Sequence, residues 1–393
     1  MKLRSISSLD LAGKRVFIRA DLNVPLDDGG AVSDDARIRA SLPTVALALE
    51  KGASVILASH LGRPKGAVVP ALSLGPVARR LSELLGRTVT LAPDCVGPEV
   101  EKRAAALAPG DVMLLENLRF HPEEQKNDAG FAGSLASLAD VWVNDAFGAA
   151  HRAHASTAGM GAQSKERAAG LLLLKEIAFL SSLLSDAAHP FVAVIGGAKV
   201  SDKLSVLENL LGRTERILIG GAMAYTFLAA QGKSTGSSLV EADRIEEAKK
   251  LLANPASAGK LVLPTDHVVA REVKAGSASR TAASIDNGWA GVDIGPETAA
   301  AYAAEIARAR TIFWNGPMGV FEIPPWNQGT LAIAKAVAAA TDKGATSVVG
   351  GGDSVAAIRA AGVVDRISHV STGGGASLEF IEGRVLPGIA ALE

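Results

Sequence analysis

Four stretches in the first half of this 393-residue chain place polar side chains directly after an apolar run. They are Ala20-Asp21-Leu22-Asn23-Val24-Pro25, Ser59-His60-Leu61-Gly62-Arg63-Pro64, Glu116-Asn117-Leu118-Arg119-Phe120-His121, and the stretch from Asn144-Asp145 to Arg152-Ala153-His154. Three of them carry an arginine (Arg63, Arg119, Arg152), and Arg37 adds another at the start of a helix-like segment. A planar guanidinium grips phosphate or carboxylate through two parallel N–H bonds, so arginines gathered at one crevice suit a small ligand bearing such groups. Asp21 and Asn23 can bond a hydroxyl, which a plain anion trap does not need. One arginine alone is ordinarily a solvated surface charge; agreement among four strand ends argues for a site. His60, His151 and His154 raise the question of a metal. No thiolate or His-Glu-x-x-His pattern accompanies them, and hydrogen-bonding or core histidines are the better reading.

The second half offers glycine instead. Ile195-Gly196-Gly197-Ala198-Lys199-Val200-Ser201-Asp202-Lys203 runs from a strand-like into a helix-like segment. Such glycines let a backbone approach phosphates, and a helix start presents free N–H groups. Lys199 and Lys203, four apart, are expected on one helical face, addressing one phosphate chain. Gly350-Gly351-Gly352-Asp353-Ser354 repeats the pattern and adds a carboxylate suited to Mg²⁺. Ser371-Thr372-Gly373-Gly374-Gly375 is a third such nest, and Asn315-Gly316-Pro317 leads to Glu322, able to hold a ribose hydroxyl. Other phosphate motifs fail in detail. Gly232-Lys233-Ser234 has Phe227 where a P-loop needs glycine, and Gly350-x-Gly352 has Val355 where a dinucleotide fingerprint needs glycine or alanine. His151-Arg152 lacks the following aspartate of a protein-kinase catalytic loop.

The elements that must position these residues are alternating apolar strands and helices, implying mostly parallel sheets covered on both faces. Ligands of such sheets bind beyond the carboxyl ends of the strands, where the polar and glycine loops lie. Expected strands are 15–19, 54–58, 112–115 and 141–143, then 191–195, 216–219, 261–263, 311–314 and 347–349. Expected helices are 34–50, kinked or split at Pro43, then 200–211, 222–230, 241–253, 296–309, 330–340, 355–361 and 376–381. In the middle, Leu173, Leu174, Ile177, Leu180 and Leu184 recur at helical spacing, which predicts an amphipathic helix bridging the two halves.

Length suggests about two domains. Apolar content of 48% with 21% charged residues describes a globular protein. Net charge is −1, and residues 1–186 hold 21 basic and 21 acidic side chains. Bulk charge therefore argues against nucleic acid and membrane partners, as does an aromatic content of 4%. Cys95 is the sole cysteine, which excludes an internal disulfide and any multi-thiolate metal site. The polar start, Met1-Lys2-Leu3-Arg4-Ser5, has no apolar leader core, and a reducing cytoplasm is expected.

Taken together the motifs resemble those of the phosphoglycerate kinase family, from about residue 14 to 386. The carriers are Asp21-Leu22-Asn23-Val24-Pro25, His60-Leu61-Gly62-Arg63-Pro64, and the segments 115–120, 147–156, 196–203, 315–322, 350–354 and 371–375. Leu22 stands where many members have an aromatic residue and Ser354 where many have threonine; neither change removes a charge. The resemblance implies two α/β domains, each a mostly parallel sheet with helices on both faces (Rossmann-like), with a cleft between. An N-terminal phosphoglycerate-binding domain would hold 1–170 plus 384–393, a connecting helix or hinge 171–185, and a nucleotide-binding domain 186–383. It implies reversible phosphoryl transfer from 1,3-bisphosphoglycerate to ADP, with Mg²⁺ as cofactor, ATP and ADP as substrates, and a monomeric enzyme. The phosphoglycerate site would fall on Asp21, Asn23, Arg37, His60, Arg63, Arg119 and Arg152. The nucleotide site would fall on Lys203, Gly291, Asn315, Glu322, Gly351, Gly352, Asp353 and Ser354, with Asp353 toward Mg²⁺. Arg37, Lys199, Gly374 and Gly375 form the expected catalytic group. An ionised carboxylate needs no general base to attack, which fits the lack of any Ser/His/Asp or Cys/His arrangement. Two alternatives remain at this stage: another ATP-dependent kinase of a small carboxylic acid, and a non-catalytic nucleotide-binding protein. The latter would be expected to have lost Lys199, Arg37 or Asp353, and all are present.

Overall fold

The computed structural model describes residues 3–393, so Met1 and Lys2 of the polar start lie outside the described residues. By its internal contacts the chain forms two compact units, one of residues up to Ala178 together with Arg384–Glu393, the other Phe179–Gly383.

In the first unit six short strands form one sheet: β1 (Arg15–Arg19), β2 (Ser54–Ala58), β3 (Val89–Leu91), β4 (Val112–Leu114), β5 (Val141–Asn144) and β6 (Arg167–Ala169). All are parallel, in the order β3-β4-β2-β1-β5-β6. Val16, Ile18, Val55, Leu57, Val112 and Val143 are buried in one apolar cluster with residues of the helix Ala36–Glu50. Arg19 pairs with Ala58 on one side and Asn144 on the other. That register brings the carboxyl ends of β4, β2, β1 and β5 side by side, and these are the four ends from which the polar loops emerge. The edge strands β3 and β6 escaped the sequence reading because each is only three residues long and β6, Arg-Ala-Ala, lacks the branched apolar run of the inner strands. Pro43 does not split its helix, which runs unbroken over Ala36–Glu50.

The second unit carries β7 (Phe191–Ile195), β8 (Arg216–Ile219), β9 (Leu261–Val262), β10 (His267–Ala270), β11 (Ser279–Ala282), β12 (Ala290–Ile294), β13 (Thr311–Asn315), β14 (Thr346–Gly350) and β15 (His369–Val370). Its main sheet is parallel in the order β15-β14-β13-β7-β8-β9, and Val192, Val194, Ile312, Trp314 and Val349 are buried in its principal core. A second, antiparallel sheet, β11-β10-β12, was not foreseen. β11 is largely exposed and reads Ser-Arg-Thr-Ala, with no apolar run to betray it.

The predicted bridging helix is present as Leu171–Ser185 and spans the boundary between the units. Its start is tied within the first unit, where Leu171 N–H donates to Thr44 Oγ1 (2.9 Å) and Leu173 N–H to Asp145 Oδ1 (3.1 Å). In the second unit Phe179 stacks on His369 at 4.5 Å between ring centroids, and Arg213 Nε donates to Leu184 O (3.0 Å). The C-terminal segment belongs to the first unit: Gly388 N–H donates to Ala150 O, and Asn144 Nδ2 to Gly388 O, both at 2.8 Å. Leu386, Ile389 and Leu392 are buried there.

Candidate functional site

In the first unit the polar loops are held by one another's side chains. Leu22 N–H donates to Ser59 Oγ (2.9 Å), joining the loops after β1 and β2. Gly62 N–H donates to Asn23 Oδ1 (2.8 Å), and Arg119 Nη1 donates to Gly62 O (2.9 Å). Gly62 has φ +62°, a conformation that favours glycine, and an added Cβ would lie 2.8 Å from the Leu72 side chain. Asn117 bridges further: its Oδ1 accepts from Leu61 N–H (3.2 Å) and Arg119 N–H (3.1 Å), while Nδ2 donates to Leu61 O and Leu72 O. Asp21, buried, accepts from Arg37 Nη1 at 2.7 Å.

Beneath these loops lies Arg19, which the sequence reading passed over as a strand residue. It is fully buried; its Nε donates to Ser156 Oγ (2.8 Å), and its Nη2 lies 3.2 Å from His60 Nδ1. Ser156 in turn donates from Oγ (2.6 Å) and backbone N (3.0 Å) to the buried carboxylate of Glu124. The one available signal was an arginine closing the run Val16-Phe17-Ile18.

Electrostatics makes the cluster cohere. Burial first, then the charges of Arg19, Arg119 and Arg37, push His60 well below its ordinary range. His154 falls to about 4, from burial and then Arg119, Arg19 and Arg152. Arg119 itself is lowered to about 10, by burial and then Arg19 and Arg152, although Glu124 and Asp21 oppose the fall. Burial is the largest cause in all three and the neighbouring arginines add to it, so both imidazoles stay neutral near pH 7. The buried Nε of Arg119 has no hydrogen-bond partner. Arg63 and Arg152 are exposed, Arg152 donating from Nε to His151 Nε2 at 3.1 Å. Asp21, Asn23, Arg37, His60, Arg119 and Arg152 are thus linked by hydrogen bonds or mutual field. Arg63 adjoins them through Gly62.

In the second unit the loops are joined through the backbone. Gly196 N–H donates to Asn315 O (2.9 Å), Gly197 N–H to Pro317 O (3.1 Å) and Gly221 N–H to Met318 O (2.8 Å). A Cβ on Gly196 would meet Pro317 O at 2.1 Å, and one on Gly316 would meet Gly196 O at 2.1 Å. These glycines allow close loop packing whatever they do for a ligand. Gly220-Gly221, directly after β8, belong to the same assembly and were missed, although they repeat the strand–glycine–helix pattern.

Lys203 is buried, and its ammonium donates to Asn315 Oδ1; burial lowers its pKa to about 8. Asn315 Nδ2 donates to Gly350 O (2.9 Å), and Gly316 N–H donates to Ser354 Oγ (2.6 Å). Lys203, Asn315 and the 350–354 loop therefore form one constellation. The expected shared helical face of Lys199 and Lys203 does not exist. The helix begins only at Leu204, because Ser201 bonds the carboxylate of Glu241 through its N–H (3.1 Å) and Oγ (2.6 Å), holding the preceding residues as a loop. Lys199 sits exposed in that loop.

Gly291, Glu322 and Asp353 line a cavity of about 200 Å³ with Gly197, Tyr225 and Met318. A Cβ on Gly291 would fall 2.0 Å from Tyr225 Oη, so glycine keeps that wall flat. Gly351 has φ +93°, and Gly352 opens the helix Gly352–Ala360 with nothing within 4 Å of where its Cβ would be. Gly374 (φ +52°) and Gly375 start the helix Gly375–Ile381 beyond β15 and are not among the cavity's lining residues.

The cavity offers flat apolar walls, backbone N–H groups and two carboxylates, which suits a nucleoside with its phosphates at the helix start. The cluster of the first unit offers forked donors in net positive surroundings, which suits a small phosphorylated acid. A family model described as phosphoglycerate kinase matches residues 6–384. The chain is 60% identical over 400 residues to a phosphoglycerate kinase of Anaeromyxobacter sp. (strain K), covering 100% of each chain. It is 54% identical over 396 residues to a cytosolic phosphoglycerate kinase of Triticum aestivum, covering 99% of this chain and 98% of that one. The structure of phosphoglycerate kinase from Coxiella burnetii superposes with a TM-score of 0.88 at 44% identity, covering 100% of this chain and 99% of that one.

Proposed function

Because the chain belongs to the phosphoglycerate kinase family and so catalyses reversible phosphoryl transfer between 1,3-bisphosphoglycerate and ADP, giving 3-phosphoglycerate and ATP, we propose the following division of labour among its residues. Arg63, Arg119, Arg152, His60 and Asn23 hold the phosphoglycerate. Neutral His60 and His154 add hydrogen-bonding capacity without competing for the anion's charge. Asp21 takes the substrate hydroxyl, and Arg37, bonded to Asp21, addresses the carboxyl oxygen whose charge changes in the reaction. The observation that carries this assignment is the lowering of Arg119, His60 and His154 by burial first and then by neighbouring arginines. Such a locus costs free energy without an anion and repays it when one binds.

Lys203, Asn315, Ser354 and the glycines at 351–352 receive the nucleotide phosphates, while Gly291 and Glu322 receive its nucleoside. Lys199, on a mobile four-carbon stem, follows the transferring phosphoryl group. Gly374 and Gly375 contribute backbone N–H groups to that charge. Asp353, exposed at the first turn of its helix and lining the same cavity as Glu322, is a hard oxygen ligand. It would hold Mg²⁺ together with nucleotide phosphates, and the ion would supply charge neutralisation at those phosphates. Asp353 would be the protein's ligand to the ion, the rest of its coordination falling to nucleotide phosphates and water.

No helix among the described residues is long and apolar enough to cross a membrane. The name of the cytosolic wheat relative and a single buried cysteine support a cytoplasmic enzyme, which we propose acts as a monomer. The test of substrate class is Mg²⁺- and ATP-dependent phosphorylation of 3-phosphoglycerate against glycerate. Turnover of 3-phosphoglycerate alone is expected. Equal turnover of glycerate would contradict a site built on phosphate-binding arginines.

A further inference from the structure

Asp94, Cys95 and His121 lie in the first unit and are given no role in either ligand site, although His121 follows closely on Arg119 in sequence. Asp94 and Cys95 follow β3, and His121 falls between the turn Leu118–Phe120 and the helix Pro122–Gln125. One ligand atom from each residue, a carboxylate oxygen, a thiol sulfur and an imidazole nitrogen, falls within 4.8 Å of the others. Asp94 Oδ1 and His121 Nε2 are 2.7 Å apart, and the His121 ring packs against Phe131 at 5.3 Å between centroids. Donors around a four-coordinate zinc ion stand about 3.3–3.7 Å from one another, given metal–ligand bonds of about 2.0–2.3 Å. The Asp94–His121 separation of 2.7 Å is shorter than that value, and all three donor atoms lie within 4.8 Å of one another, so a bound ion would require the side chains to adjust.

We propose that Asp94, Cys95 and His121 form a binding site for a borderline-soft divalent cation such as Zn²⁺, separate from the Mg²⁺–nucleotide site. The donor set decides the class. A thiolate and an imidazole favour zinc or cobalt, whereas magnesium demands oxygen ligands in an octahedron. Three protein ligands leave a fourth position for water. Approach is open on one side, because the Asp94 and His121 side chains are 46% and 28% exposed while Cys95 is fully buried. On binding, the Cys95 S–H bond breaks, the sulfur electron pair goes to the metal and the proton goes to solvent; no electron changes hands. Burial, with Asp94 and Glu124 adding to it, pushes the free thiol well up, so without metal Cys95 is an unreactive core side chain.

The test uses the full chain freed of metal and titrated with Co²⁺, then Zn²⁺, in a large excess of Mg²⁺. One Co²⁺ per chain is expected to give a thiolate-to-cobalt charge-transfer band with the intense d–d bands of four-coordination. Zn²⁺ should displace it one for one, and Mg²⁺ should not. Cys95→Ala should abolish the charge-transfer band. His121→Gln, at a half-exposed position that should leave folding and 3-phosphoglycerate turnover unchanged, should weaken Zn²⁺ by more than the roughly tenfold that loss of an outer-shell partner costs. Absence of the thiolate band, or a Zn²⁺ affinity unchanged in both variants, would overturn the proposal and leave an ion bound elsewhere on the chain.

Discussion

In the first unit, Asp21, Asn23, Asn117 and the buried Arg19 hold the loops that carry Arg37, His60 and Arg119. In the second, Gly196, Gly221 and Gly316 let three loops lie backbone against backbone, and Lys203 with Asn315 and Ser354 adds a side-chain constellation. The difference follows the ligands. A small acid with several charged groups is recognised by forked side chains fixed in advance, and its site carries excess positive charge. A nucleotide's phosphate chain is met by backbone N–H groups, which need room rather than charge. The first site should therefore be sensitive to charge, and the second to volume.

The largest expected effect lies on Lys199, an exposed cation of the second unit whose proposed part is in the transition state rather than in phosphate binding. Lys199→Ala should lower kcat by about a hundred- to thousandfold with KM for both substrates nearly unchanged, because a contact made only in the transition state typically contributes about 3–4 kcal/mol. A normal kcat with a large rise in KM for ATP would reassign Lys199 to binding. Arg37→Ala should resemble it in kcat but also raise KM for 3-phosphoglycerate, since Asp21 then loses its partner. Steady-state constants for the two variants separate these roles.

Next comes volume. Gly196→Ala, whose methyl would meet Pro317 O, should destabilise the second unit by about 3 kcal/mol or more. Gly352→Ala meets nothing within 4 Å and should leave the melting temperature unchanged, so any loss of ADP affinity reports on phosphate approach. Equal melting shifts for the two would contradict the packing role of Gly196.

Charge and pH come third. Lys203 has a folded pKa of about 8 against an ordinary 10.5, so the cost of burying its charge is full below pH 8 and is lost as pH rises toward 10.5. Lys203→Met should stabilise the protein at pH 7 by about 2 kcal/mol, after the lost bond to Asn315 is allowed for, while weakening ADP. His154 has a folded pKa of about 4 against 6.5, so the folded state resists protonation and stability falls as pH drops from 6.5 through 4. Denaturation midpoints across pH 4–10 for the protein, Lys203→Met and His154→Gln would show the two slopes, each absent in its variant.

The smallest effect is expected at the rim. Arg63 is exposed, and Arg63→Ala should raise KM for 3-phosphoglycerate by about tenfold with little change in kcat, as one charge-assisted contact commonly contributes about 1.5 kcal/mol. A fall in kcat alone would place Arg63 in the transition state.

Much of this was legible in the chain because parallel α/β sheets gather their ligand loops at one end, so Asp21, His60, Arg119 and Arg152 could be read as a set from position alone. Lys203, Asn315 and Asp353 were legible for the same reason. Arg19 was hidden because a strand-terminal arginine looks like the edge of a strand until the sheet register shows it buried between β2 and β5. Spacing misled for Lys199, since four-residue intervals mean a shared face only inside a helix, and Ser201–Glu241 bonding delays the helix to Leu204. Glycine itself is ambiguous. Gly196 and Gly316 need no phosphate to explain them, whereas Gly352, with open space around it, has no packing reason to be glycine.

The central claim is that the first unit gathers more arginines than carboxylates around a locus awaiting an anion, and the protonation of His154 tests it most directly. NMR titration of ring-labelled histidine is expected to show His154 neutral down to about pH 4 in the free enzyme. Saturating 3-phosphoglycerate should raise that value, because the bound anion offsets Arg119, Arg19 and Arg152. A His154 that titrates near 6.5 and does not move when 3-phosphoglycerate binds would contradict the account.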